Sequence, residues 1–105
     1  MQRVAFRLRV KPDRLDDYVR IHAEVWPALL RDLTAAGYRN YSIFADGPDL
    51  FGYLECDDWD AAQAMLRASD ANRRWQEWMT EYLETPVDPD GEEPLLLLRQ
   101  VFFLP

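Results

Sequence analysis

The chain has 105 residues, enough for one domain around one core, and 49% of them are hydrophobic, which excludes a disordered segment. A net charge of -7 excludes a phosphate-backbone binder, which needs clustered Lys and Arg, and disfavours docking on an anionic membrane. Cys56 is the only cysteine, no leader-like segment opens the chain, and no apolar run approaches the roughly 20 residues that span a bilayer, so the expectation is a cytoplasmic protein without disulfides.

Residues 3–10 alternate, with Val4, Phe6, Leu8 and Val10 on one side and Arg3, Ala5, Arg7 and Arg9 on the other, which predicts a strand with one face on a core. Pro12 and Asp13 open a helix whose first turn carries Asp16 and Asp17. Leu15, Val19, His22, Trp26, Leu29 and Leu33 recur at spacings of three and four and form its inward stripe. Pro27 lies inside this stretch and should kink the helix or split it near Trp26, because proline lacks the N–H and clashes with the preceding turn. Gly37 is the stop.

Strands follow at 40–45 and 50–57, joined by the turn residues Asp46-Gly47-Pro48-Asp49. Asp58 caps a helix to about Ser69, and Asp70 caps another that carries Trp75, Trp78, Met79 and Tyr82. Residues 84–94 form a loop rich in Pro, Asp and Glu, and Leu95–Leu104 reads as a last strand, apolar on both sides. The order β-α-β-β-α-β over residues 1–105, with the second helical region in two pieces, predicts an α+β, ferredoxin-like domain with an antiparallel sheet. Helices on one face leave the other bare, and an apolar bare face marks an interface, so a homodimer packed sheet to sheet is expected.

His22 is the only histidine, and its ordinary pKa of about 6.5 suits proton transfer near neutral pH. Tyr18 and Trp26 stand one turn before and after it, so a hydroxyl, an imidazole and an indole align toward the sheet. Two readings stand for this group: a proton-transfer site, or a core histidine bonded to a buried tyrosine. Tyr41 shares a strand face with Ile43 and can join it, while Trp75 and Trp78 offer either core packing or a stacking face for a sugar ring. The acidic run Asp88–Glu93 does not match a calcium loop and reads as a solvated loop. No phosphate-binding glycine loop is present, a hydrolytic triad has no support, and one histidine is too few for a metal site.

In combination these residues resemble the L-rhamnose mutarotase family. The resemblance runs through the Ala5-Phe6 strand, Tyr18-x-x-x-His22-x-x-x-Trp26-Pro27, Asn40-Tyr41-x-Ile43, Arg74-Trp75, the Pro89-Asp90 loop and Val101-Phe102-x-Leu104-Pro105, in matching order and spacing. It implies a ferredoxin-like dimer of the dimeric α+β barrel type, a free sugar as substrate, His22 as proton donor, and Tyr18, Tyr41 and Trp75 as sugar contacts. The chain departs from the family where Trp75-Gln76 replaces two adjacent tryptophans, which puts a hydrogen-bonding group in the place of a stacking surface and bears on sugar preference. Trp78 is a candidate for the missing aromatic surface.

Anomers interconvert when the pyranose ring opens to the aldehyde and recloses on the other face, which needs proton transfer but no redox step, metal or cofactor. The expectation is that His22, as imidazolium, protonates the ring oxygen, with a tyrosine hydroxyl, Asp88, Asp90 or water as base. Competing expectations are a dimeric module that binds a small ligand without turning it over, a cofactor-free oxygenase of an aromatic substrate, and a structural domain with the Tyr18, His22, Tyr41 and Trp75 cluster closed.

Overall fold

The computed structural model describes residues 1–84, 87 and 95–105, and every statement below concerns these. The elements are β1 (Gln2–Arg9), a 3-10 turn (Pro12–Arg14), α1 (Leu15–His22), α2 (Pro27–Ala35), β2 (Arg39–Asp46), β3 (Asp49–Cys56), α3 (Trp59–Arg67), α4 (Asp70–Met79) and β4 (Leu96–Leu98). All strand pairs are antiparallel and the sheet order is β2-β3-β1-β4, the arrangement predicted from the element order.

The long helical stretch is split rather than kinked. Trp26 has extended backbone (φ -56°, ψ 132°), as a residue before proline favours, and Pro27 starts α2 where its missing N–H costs nothing. The predicted stripe faces inward at Leu15, His22, Trp26, Leu29 and Leu33 but not at Val19. Tyr18 is buried at 5% exposure and Leu15 and Ile21 pack beside it, whereas Val19 is 56% exposed, roughly a quarter-turn off that face. Gly37 (φ +98°) ends α2 in a left-handed turn in which Tyr38 N–H bonds to the Leu33 carbonyl. Asp58 caps α3 by accepting from Ala61 N–H at 3.0 Å. The cap of α4 is Ser69, which accepts from Asn72 N–H at 3.0 Å; Asp70 is instead the first helical residue and pairs with Arg74.

The last strand is shorter than predicted. Leu96–Leu98 pair with Ala5–Arg7, and the chain then leaves the ladder. Beyond it, the Arg3 guanidinium lies 3.6 Å from the centre of the Phe103 ring. Pairing stops where Arg99 and Gln100 interrupt the apolar residues, a break the sequence reading ran through.

Phe6, Val10, Leu50, Leu54 and Cys56 are fully buried between the inner sheet face and the helices. Gly52 faces Phe6 across the β1–β3 ladder, and a Cβ there would collide with the Phe6 ring, so the glycine lets that ring lie flat on the sheet. The β2–β3 register shifts between Arg39 and Ser42, where Asn40 adopts φ 49°. This is a bulge, and an asparagine tolerates its left-handed backbone. The outer sheet face is uncovered. One row across it reads Phe44, Phe51, Arg7, Leu96 and the next Ser42, Tyr53, Ala5, Leu98; Phe44 is 67% exposed.

Candidate active site

Three elements converge under the inner sheet face. The last turn of α1 brings His22, the bulged start of β2 brings Tyr41, and the middle of α4 brings Trp75 and Gln76. They line a cavity of about 80 Å³ with Tyr18, and an adjoining hollow of about 210 Å³ that shares His22, Tyr41, Trp75 and Gln76. The cluster is therefore open, contrary to the closed arrangement of a purely structural domain. All five residues singled out from the sequence, Tyr18, His22, Tyr41, Trp75 and Gln76, are on this wall.

His22 Nδ1 lies 2.8 Å from the Tyr18 carbonyl oxygen. A carbonyl only accepts, so Nδ1 carries the hydrogen and the neutral ring keeps its lone pair on Nε2. The imidazole stacks on the Tyr18 ring at 4.0 Å and meets Trp75 edge-on at 5.3 Å. Burial lowers the His22 pKa, partly offset by the backbone hydrogen bond. A lowered pKa favours the neutral imidazole at rest, whereas the sequence reading took the imidazolium as the starting form.

The phenols behave in the opposite sense. Burial pushes Tyr18 up to about 12 and Tyr38 to about 12. Tyr41 also rises, through burial of its hydroxyl end and then the neighbouring Tyr38 and Tyr18, although 39% of the residue is exposed. All three stay protonated at neutral pH and serve as hydrogen-bond donors rather than as bases. Among the described residues no carboxylate lines the cavity. Asp88 and Asp90, considered as bases from the sequence, lie outside the described residues.

The structure moves two tryptophans away from the site. Trp26 is not aligned with His22, because α1 ends at His22; it stacks parallel to Trp78 (5.7 Å, 4°), with Trp75 edge-on to both. Trp78 packs toward Tyr82 and does not line the cavity, so it supplies no aromatic surface beside Gln76. Four polar wall residues escaped the sequence reading: Tyr38, Gln63, Arg67 and Asn72. Gln63 sits on the inward stripe of α3 with Ala62 and Leu66, and Asn72 on that of α4 with Trp75 and Met79. An amide at a core-facing helical position was the signal available for both.

Comparison with known proteins matches residues 3–104 to the model of a family described as L-rhamnose mutarotase. An L-rhamnose mutarotase of Acidiphilium cryptum is 36% identical over 100% of both chains. One from Oceanobacillus iheyensis is 37% identical over 84% of this chain and 86% of its own. Among solved structures, an L-rhamnose mutarotase from Formosa agariphila superposes over 100% of both chains with a TM-score of 0.81 at 24% identity. Tetracenomycin F2 cyclase from Streptomyces glaucescens superposes with a TM-score of 0.62 at 22% identity, a likeness of fold.

Proposed function

Because the chain belongs to the L-rhamnose mutarotase family, we propose that it is an isomerase that interconverts the α and β anomers of L-rhamnose, or of a related deoxysugar, through acid/base ring opening at His22. The observation that carries this reading is the tethered imidazole. His22 is fixed by the Tyr18 carbonyl with its Nε2 lone pair free, in a cavity whose other described titratable groups are high-pKa phenols and Arg67.

In the proposed cycle, Nε2 takes the proton of the anomeric hydroxyl. The C1–O bond to the ring oxygen breaks, its electron pair leaves on that oxygen, and C1 becomes the aldehyde carbon. His22, now the imidazolium, delivers the proton to the ring oxygen, which reconciles a proton-donor role with a neutral resting state. Rotation about the C1–C2 bond and the reverse steps close the other anomer. Tyr18 and Tyr41 donate hydrogen bonds that hold the sugar oxygens, Trp75 offers an apolar ring to the sugar, and Gln76 offers a polar contact. No group need be supplied from outside the chain for this proton cycle.

The enzyme is further proposed to act as a homodimer joined through the outer sheet face, supported by the exposed row Phe44, Phe51, Leu96 and its neighbour Leu98. A cytoplasmic setting is supported by the lone buried thiol of Cys56 and by the lack, among the described residues, of any helix long and apolar enough to cross a membrane.

Exchange NMR on L-rhamnose tests the activity. Wild-type protein should speed exchange between the two anomeric proton signals, and His22→Ala should lose ~10²–10⁴-fold of that acceleration with its fold unchanged by circular dichroism. A folded wild type that accelerates no aldose removes the mutarotase reading and leaves a ligand-binding dimer or an aromatic-substrate oxygenase. A His22→Ala variant of near-normal turnover removes His22 from the chemistry.

A further inference from the structure

The cavity wall also carries an ordered pair of amides. Asn72 Nδ2 donates to the Leu66 carbonyl at 3.3 Å, and Gln76 Nε2 donates to Asn72 Oδ1 at 3.3 Å. The carbonyl of Leu66 can only accept, so it fixes which end of the Asn72 amide is nitrogen, and Asn72 in turn fixes Gln76. Gln76 therefore presents Oε1, an acceptor that takes no hydrogen bond from any described residue. Asn72 is itself held by the α4 cap: its N–H bonds to Ser69 Oγ, whose hydroxyl donates to Asp32 on α2 at 2.6 Å.

Beside it stands a second pair. Gln63 Nε2 donates to the Tyr38 hydroxyl at 2.7 Å, and the Tyr38 hydrogen is then available to a third group. Were the Gln63 amide reversed, Tyr38 would donate to Gln63 and the amide N–H groups would be available instead, so the pair offers a donor either way. The Tyr41 ring meets Tyr38 edge-on at 5.4 Å, and Tyr18, on which His22 stacks, lines the same cavity. One acceptor and one donor thus line the same cavity as His22.

Resting on the mutarotase reading above, we propose that Tyr38 and Gln76 are specificity-determining residues that together bind a vicinal pair of ring hydroxyls of the sugar, and that Asn72 is the positioning residue that keeps the Gln76 carbonyl pointed at them. A hydroxyl both donates and accepts, so two neighbouring hydroxyls satisfy the acceptor on Gln76 and the donor on Tyr38 together. A sugar lacking one of them leaves a protein group without its partner.

The test pairs deletions on the protein with deletions on the sugar. Tyr38→Phe and Gln76→Met each remove a bonding group at nearly constant shape, and L-rhamnose is compared with its 3-deoxy and 4-deoxy analogues. With wild type, at least one analogue should show a KM raised ~10-fold at unchanged kcat, the size of one neutral hydrogen bond. Each variant should lose ~10-fold in KM on L-rhamnose and nothing more on the analogue that lacks its partner hydroxyl. Asn72→Leu should match Gln76→Met and add nothing to it in the double variant; if Asn72→Leu fails to fold, the Gln76→Met and Tyr38→Phe series decides alone. Losses that multiply for both analogues, a fall in kcat at constant KM, or variants with wild-type KM overturn the proposal. Those outcomes are distinct from failure of the underlying reading, in which wild type accelerates no sugar.

Discussion

His22 takes its character from two opposed influences on one ring. Burial lowers its pKa, the Tyr18 carbonyl partly restores it, and the first is larger. The base form acts first in the proposed cycle, so the rate above the uncatalysed background should fall as pH drops through the lowered His22 pKa, below the ordinary 6.5, and stay flat above it toward pH 8. A pH series of exchange rates checks this; a rate that instead falls as pH rises through that range would show that the imidazolium is the form that binds and acts. At this scale the sequence was informative about chemistry-bearing residues and silent on their state. A lone histidine one turn from a tyrosine was legible, and family resemblance gave it a role. Its protonation was not, because desolvation depends on what packs around it from β2 and α4. Trp78 illustrates the converse: three residues from Trp75 along the same helix, it faces away from the cavity and onto Trp26.

Among the elements, β1 and β3 set the floor of the site through one pairing. Phe6 lies over Gly52 and touches Tyr41 edge-on at 6.1 Å, so the glycine determines where both aromatic rings rest. Gly52→Ala should destabilise the protein by ~1–3 kcal/mol, as overpacking does, and weaken sugar binding as Tyr41 shifts. Urea titration and the KM for L-rhamnose measure the two effects; unchanged values would mean that Phe6 has room to move. Strand and helix periods were readable where an element has one wet and one dry face, as β3, α3 and α4 do. Pro27 marked the helix break for a stated steric reason, yet the facing of α1, which buries Tyr18 and exposes Val19, depends on how two short helices settle on the sheet. The bulge at Asn40 was equally hidden, since only the register of β2 on β3 reveals it.

For the whole molecule, helices on one side of a four-stranded sheet leave a face to be covered, and that much followed from element order. The extent of β4 did not, because two apolar stretches flanking Arg99 and Gln100 suit a strand and an interface alike. Sedimentation equilibrium should show a dimer at micromolar concentration, and Phe44→Glu with Leu98→Glu should shift it to monomer, since charges placed in the centre of an apolar contact lose their hydration. A wild-type monomer would show that this face is not the interface. The tryptophan group has a consequence of another kind. Trp26, Trp75 and Trp78 share ring contacts, and only Trp75 touches the imidazole. Light absorbed by any of the three can migrate to the ring beside His22, where an imidazolium quenches emission and a neutral imidazole does not. The protein thus carries an optical gauge of the His22 ring, readable without label or substrate.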